Sequence, residues 1–197
     1  VAVIDLGVPI TNLTGRISLE AEKGKEPVIT LSRLKAEMLE GDVNGNRIRI
    51  DLNRQNNRFT LGFNNISIAE LVRLQQFEDI DAIGNLSGTL PISIGPAGLS
   101  ITKGKATADA PGGYIRYRPE DGGELFGSSS METEMLLKAL DDYQYEELDA
   151  DVAYKPDGQL TMQLQMKGRS PGLHATRPLH LNLNLDQNIL SLIESLR

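Results

Sequence analysis

Apolar and polar residues alternate along most of this chain, a pattern typical of β-strands with one apolar and one polar face. The segment 86–119 shows it most clearly: two alternating runs are joined by the turn Gly95-Pro96, and their apolar members are Leu90, Ile92, Ile94, Leu99 and Ile101. Gly104 interrupts the second run, so we predict a third strand at Ala106–Ala108 and a fourth at Tyr114–Tyr117. The connections are too short for crossover helices, so the four strands should form an antiparallel meander.

Further strands are predicted on both sides of this segment. Upstream, Asn44-Gly45 is a typical two-residue hairpin turn, and two alternating runs follow it with the apolar members Ile48, Ile50, Leu52, Phe59, Leu61 and Phe63. Looser alternation predicts earlier strands at about 1–8, 15–20 and 27–34. Downstream, strands at 144–154 and 160–166 flank the turn Lys155–Gly158, and a last strand carries Leu179, Leu181, Leu183 and Leu185.

The spacing of apolar residues changes to that of a helix in three places. Ser67 is placed to cap a helix that reaches Phe77, and Glu70 completes a capping box. A second helix is predicted from Ser130 to Leu140, and a third from Gln187 to Leu196 after the cap Asp186. The pattern therefore predicts a mainly β fold, a mostly antiparallel sheet with about three short helices. Its apolar face could close a sandwich core, the usual case, or line an open apolar groove.

Length and charge narrow the function classes. The 197 residues suit one domain, and nowhere do they contain the roughly 20 consecutive apolar residues of a membrane span. The net charge of −7 and the scattered positions of the basic residues oppose binding to nucleic acid or to an anionic bilayer. The chain begins at Val1 inside an apolar run without a charged leader, so we expect it to be a single module, residues 1–197, of a longer protein.

Little in the sequence indicates catalysis, a metal or a cofactor. Cysteine is absent, and neither His174 nor His180 has neighbours that would make it a ligand or a base. Asp149 and Asp151 could act as a carboxylate pair on a carbohydrate-active β-scaffold, but alternation puts both on one strand face, where a solvated surface is the more economical interpretation. We predict that the protein is not an enzyme and binds no metal and no cofactor.

The second half of the chain resembles the C-terminal part of YdbH-like proteins, which are AsmA-like envelope proteins of Gram-negative bacteria. The resemblance rests on turn and alternation motifs from about Leu86 to the end, whereas residues 1–85 match only in style. The motifs are Gly88–Ile94, Ile101 with Lys103–Ala106, Ala110–Tyr117, Ala139-Leu140, Tyr145–Leu148, Tyr154 with Asp157-Gly158, Arg177–Leu185, Asn188 and Ser195–Arg197.

This resemblance implies a long, curved, taco-like β-sheet groove in the periplasm, part of a protein anchored in the inner membrane. It also implies phospholipid transport between the inner and outer membranes, and a small outer-membrane lipoprotein as partner near the C-terminal end. A dicarboxylate-transport label also goes with the family. Dicarboxylate recognition would need convergent arginines, and the candidates Arg47, Arg49, Arg116 and Arg118 lie on strands whose proximity the sequence does not give.

We therefore expect a non-catalytic segment of a lipid-conducting sheet, with a structural or adhesive module that binds a partner protein as the alternative. The residues expected to face acyl chains are the apolar members of five alternating runs: Ile48, Ile50, Leu52, Phe59, Leu61, Phe63, Leu90, Ile92, Ile94, Leu99, Ile101, Leu160, Met162, Leu164 and Met166. The edge expected to receive the lipoprotein by strand addition carries Leu179, Leu181, Leu183 and Leu185.

Overall fold

The computed structural model describes residues 9–74, 79–119, 131–173 and 177–188. These ranges contain eleven strands, joined antiparallel into one sheet, and two helices. The strands are β1 (Thr11–Glu20), β2 (Val28–Met38), β3 (Gly41–Asp51), β4 (Asn57–Ser67), β5 (Ile80–Ile83), β6 (Asn85–Gly95), β7 (Gly98–Ala108), β8 (Gly113–Tyr117), β9 (Tyr143–Tyr154), β10 (Gln159–Arg169) and β11 (Leu179–Asn188), and the helices are α1 (Ile68–Leu74) and α2 (Met131–Leu140). The predicted mainly β, antiparallel fold is confirmed.

The sheet is open, with β1 and β11 at its two edges in the described part of the chain. Nine strands follow one another in the order β1-β2-β3-β4-β6-β7-β9-β10-β11, and β8 lies off this path between β5 and β9. Short turns join most neighbours along this path, whereas the chain runs through α1 and β5 between β4 and β6, and through β8 and α2 between β7 and β9. The predicted turn at Lys155–Gly158 is one of them: Gly158 adopts a φ of 89° and donates its N–H to the carbonyl of Lys155 at 3.0 Å.

Both helices in the described residues lie where the spacing predicts them. The Oγ of Ser67 accepts a hydrogen bond from the backbone N–H of Glu70 at 3.3 Å, which is the predicted N-cap of α1. Residues 75–77 and Ser130, the predicted ends of the two helices, lie outside the described residues. The third helix was predicted to begin at Gln187, but Gln187 and Asn188 pair with β10 as the end of β11, and the remainder, 189–196, lies outside the described residues.

The predicted hairpin at Asn44-Gly45 is wrong, because both residues lie inside β3. The chain turns earlier, at Leu39 and Glu40, whose φ angles of 49° and 61° make the turn without glycine. Gly45 serves packing instead: a Cβ there would lie 2.8 Å from the Cδ1 of Ile48 and 3.2 Å from a methyl group of Leu61. The missing side chain leaves room for these two apolar residues.

The predicted four-strand meander is also wrong in two details. Ala106–Ala108 continues β7, because Gly104 marks a bulge in that strand and not its end: the register with β9 shifts between Ile101 and Gly104. The strand at Tyr114–Tyr117 pairs with β5 and β9 and not with β7. A tight turn after β7 therefore carries the chain out of the main path, and β9 takes the place beside β7.

A buried core lies at one end of the sheet, under α1, α2, β5 and β8. Tyr143 is fully buried and donates its hydroxyl to the carbonyl of Leu179 at 2.7 Å, and Tyr145 does the same to Ile83 at 2.7 Å. Burial raises the pKa of both phenols to about 12. The buried members of this capped end are Ile68, Ala82, Ala106, Tyr117, Leu140, Tyr143, Tyr145, Leu148, Ala150 and Met166.

Candidate functional site

All fifteen residues predicted to face acyl chains lie on one face of the sheet. Residues directly opposite each other on paired strands project to the same side, and Phe59 lies opposite Ile92, which lies opposite Ile101. Tyr154 then lies opposite both Ile101 and Leu160, which carries the same face onto β10. The alternating runs of distant segments thus meet in one apolar surface.

Ile48 and Ile50 of β3, with Leu52 directly after the end of this strand, reach this face through an irregularity. Gly45 and Ile48 are three positions apart, yet a Cβ on Gly45 would touch Ile48, so both lie on the same side of the strand. Asn46 and Arg47, between them, are both exposed, so the alternation slips by one residue at this point. Ile48 and, by alternation, Ile50 and Leu52 therefore share the face of Leu61.

The structure adds residues to this face that the sequence analysis left out. Leu31 and Ile29 of β2 lie opposite Ile48 and Ile50, and β1 places Ile17 and Leu19 opposite Leu31 and Ile29. Val152 and Tyr154 of β9 lie opposite Met162 and Leu160. The apolar residues of 17–19 and 29–31 do have period-two spacing. These runs are short and the alternation around them is looser, so the sequence analysis did not include them in the apolar face.

The apolar face has a sealed part and an open part. Phe63, Leu164 and Met166 pack in or against the core of the capped end. The other half of the strands carries apolar side chains outside that core, including Leu52 at 50% exposure and Leu99 at 40%. We call this second part the open stripe: Ile17, Leu19, Ile29, Leu31, Ile48, Ile50, Leu52, Phe59, Leu61, Leu90, Ile92, Ile94, Leu99, Ile101, Tyr154, Leu160 and Met162.

The two edges of the sheet differ in their exposure. Every residue of β1 is exposed, with Ile17 at 72% and Leu19 at 63%. In β11 the side chains of Leu179, Leu181, Leu183 and Leu185 are half-buried on the apolar face. In the described part of the chain β11 pairs with β10 alone, so its backbone on the other side is free of strand pairing.

The opposite face of the sheet is polar, and it carries the residues considered for chemistry. Asp149 accepts a hydrogen bond from Thr107 at 2.9 Å, and Asp151 forms an ion pair with Lys105 at 3.1 Å. Both carboxylates are exposed, as is His180; His174 lies outside the described residues. Among residues whose positions are described, no group of three or more histidines or carboxylates could hold a metal ion.

The arginines considered for dicarboxylate binding do not converge on one site. Arg116 bonds to Asp142 at 2.8 Å, lies 3.5 Å from Asp81 and stacks 4.0 Å from the ring of Tyr114. The hydrogen bond to Arg116, with a smaller bond from Gln144, holds the pKa of Asp142 below its usual value. Arg118 is similarly paired with Asp141 at 2.7 Å. Arg116 and Arg118 are thus already neutralised by carboxylates.

The interpretation of the basic residues as scattered is wrong for one region. On the polar face of β1–β4 six of them lie side by side, because alternation sends each to that face and strand pairing aligns them. We call this group the basic belt: Arg16, Arg33, Lys35, Arg47, Arg49 and Arg58. The distances in sequence, up to 42 positions, hide a cluster that only the sheet assembles.

Comparison with known proteins gives one match. The family model YdbH-like, described as intermembrane phospholipid transport protein YdbH, matches the chain over residues 1–197. No curated protein and no solved structure matches the chain. In the described residues, no helix is both long and apolar enough to cross a membrane.

Proposed function

Because the chain belongs to the YdbH-like family of intermembrane phospholipid transport proteins, we propose that its part in that transport is to hold phospholipid acyl chains along the open stripe. The observation that carries this proposal is the exposure of the stripe. Large apolar side chains are exposed at several points along the stripe, Ile17 and Leu19 on β1, Leu52 directly after β3 and Leu99 on β7, whereas Ile48 and Ile92 between them are buried by their neighbours. Exposed apolar side chains grouped on one face of a sheet are typical of a binding surface.

The chemistry of the stripe suits acyl chains. Leucine, isoleucine, methionine and phenylalanine make up all of it except Tyr154. Each CH₂ that moves from water onto such a surface contributes about 0.8 kcal/mol, so a long chain binds without a specific polar contact. Selectivity among acyl chains should therefore be low.

The direction of the stripe suits movement. It crosses eight strands of the main path, from β1 to β10, and because neighbouring strands lie about 4.8 Å apart, its length is on the order of 35 Å. A lipid tail can therefore pass from one strand to the next without leaving apolar surface. The capped end, by contrast, is filled by the chain's own side chains and would not take part.

We further propose that this module lies in the periplasm, as part of an inner-membrane-anchored protein of a Gram-negative bacterium, and that it is not catalytic. Its partner would be a small outer-membrane lipoprotein that adds a strand to the edge of β11. Within the described residues the outer edge of β11 pairs with no strand, which supports this arrangement because unpaired N–H and C=O groups accept a further strand. The alternative, a module that only binds a partner protein, would leave the open stripe without an occupant.

Photocrosslinking tests the acyl-chain proposal. A photoactivatable amino acid at Leu61 or Leu99 should crosslink to phospholipid when the protein is produced in a Gram-negative periplasm. The matched positions are Thr60 and Thr102, which are exposed on the polar face of the same strands. Mass spectrometry of the adducts should find phospholipid at the first pair and none at the second. Equal labelling of both faces, or no lipid at either, would refute the proposal.

A further inference from the structure

The basic belt is unusual for this protein because it is uncompensated. Within the described part of the chain, none of its six cations forms an ion pair or a side-chain hydrogen bond. Several basic residues outside the belt are paired, as Lys105 is with Asp151, Lys167 with Glu147 at 2.7 Å and Arg118 with Asp141. In a chain of net charge −7, six unpaired cations on one face form a local field of the opposite sign.

Four acidic residues, Glu20, Glu37, Asp42 and Asp51, lie on the same face at the ends of the belt, and among the described residues none of them forms an ion pair with a belt cation. Towards the capped end, Glu37 accepts a hydrogen bond from Asn12 at 2.6 Å, and Asp42 accepts one from Asn64 at 3.4 Å. Towards the other end, Asp51 bonds to Asn53 and pairs with Arg54 at 3.2 Å. The pKa of Asp51 is lowered mainly by the Asn53 hydrogen bond, with smaller contributions from Arg54 and Arg49. Asp51 therefore touches the border of the belt without neutralising it.

The belt is spread over a surface instead of converging on a point. Its members come from four neighbouring strands, so it extends on the order of 15 Å across the sheet. Within it, Arg33, Lys35, Asn44 and Asn46 line a shallow depression of about 390 Å³, with Asp42 at its border. Arg33 reaches this place with a φ of 53°, at the point where the alternation of β2 slips. Several anionic groups in one plane match this layout better than a single small anion.

We propose that the basic belt docks this module on an anionic bilayer surface through the phosphate groups of lipid headgroups. Guanidinium groups, which provide five of the six cations, bind phosphate through paired N–H donors. A second copy of the chain fits less well, because the exposed carboxylates of Asp151 and Glu147 on β9 are already paired with Lys105 and Lys167. The belt lies on the face opposite the open stripe, so docking through it leaves the stripe free.

Vesicle sedimentation tests this docking. The whole chain should sediment with phosphatidylcholine–phosphatidylglycerol vesicles at low ionic strength and not with phosphatidylcholine alone. Each basic residue near such a surface contributes about a fivefold gain in partitioning, so Arg47→Gln with Arg49→Gln should lower it about 25-fold. Salt of about 1 M, where screening acts within about 3 Å, should release the protein.

Two controls make the outcome specific. Lys103→Gln with Lys138→Gln removes the same charge from exposed positions outside the belt and should change partitioning by less than twofold. Leu99→Asp, which damages the open stripe, should sediment like the unaltered chain, so failure of docking and failure of acyl-chain binding are distinguishable. The proposal is overturned if the two double variants behave alike, or if the chain self-associates through the belt and ignores anionic vesicles.

Discussion

At the scale of single residues, burial separates side chains that the sequence makes look equivalent. Leu99 and Leu148 are both apolar members of alternating strands, but Leu99 is 40% exposed in the open stripe and Leu148 is 4% exposed under the capped end. Ile92, at 7%, lies between Phe59 and Ile101 and does not discriminate between an open and a sealed face. The informative substitutions are therefore at the two extremes.

We predict that Leu99→Asp costs about 1 kcal/mol or less, because its carboxylate stays in water, whereas Leu148→Asp costs several kcal/mol because it buries an unpaired charge. Urea unfolding followed by circular dichroism measures both. Native mass spectrometry of the folded Leu99→Asp protein should show less retained lipid than Thr102→Asp, which places the same charge on the polar face. A Leu99→Asp protein that unfolds like Leu148→Asp would mean that the stripe is a dry core.

At the scale of elements, bulges decide which residues share a face. Four strands each contain two consecutive exposed polar residues: Asn46-Arg47, Asn64-Asn65, Thr102-Lys103 and Glu146-Glu147. The register shifts beside the last three pairs. After each slip the apolar residues return to the same side, which keeps one continuous apolar face across long strands.

The sequence predicted the strands and the face of each alternating run, because period-two spacing is a local property. It did not predict the bulges, since a polar pair followed by glycine also fits a turn or a strand end, as at Gly104. The prediction of a turn at Asn44-Gly45 was wrong for the same reason. The preference of this pair for a turn is a local property, whereas the packing of Ile48 and Leu61 against Gly45 depends on the tertiary structure. The pairing of β7 with β9, and hence the joining of the face across them, also depends on contacts far apart in sequence.

The join between β3 and β4 is the weakest ladder of the main path, with three residue pairs near the capped end, from Asp42–Asn64 to Asn44–Gly62. At the other end the side chain of Asn57 replaces the ladder. Its Oδ1 accepts the N–H of Asp51 at 2.7 Å, and its Nδ2 donates to the carbonyl of Asp51 at 3.2 Å. One amide thus holds this half of the hairpin together.

We predict that Asn57→Ala lowers the free energy of unfolding by about 1–2 kcal/mol, because two partly buried hydrogen bonds are lost. Asn46→Ala, at an exposed position of β3, should change it by less than about 0.5 kcal/mol. Urea midpoints of the two variants provide the comparison. If both variants unfold at the same urea concentration, the Asn57 bridge does not secure the hairpin.

At the scale of the whole molecule, the two faces of the sheet and its two edges differ in the contacts that they can make. The open stripe and the basic belt lie on opposite faces, so acyl chains and headgroup phosphates would be bound by different surfaces of the same strands. The edges β1 and β11 are free of strand pairing on their outer sides within the described residues. An open sheet with free edges is poorly suited to exist alone, and added strands from other parts of the envelope machinery would extend the stripe.

Proline substitution in β11 tests strand addition at that edge. Successive N–H groups of a strand point to opposite sides, so of Asn182 and Leu183, one donates towards β10 and the other outwards. Proline removes the donor, and we predict that the position with the outward N–H tolerates it without loss of the fold, as circular dichroism would show. That tolerated variant should no longer co-purify with the proposed lipoprotein partner. Proline at an outward position of β1, the opposite edge, should leave co-purification intact. If the lipoprotein co-purifies with the β11 variant as well as with the unaltered chain, it binds at another site.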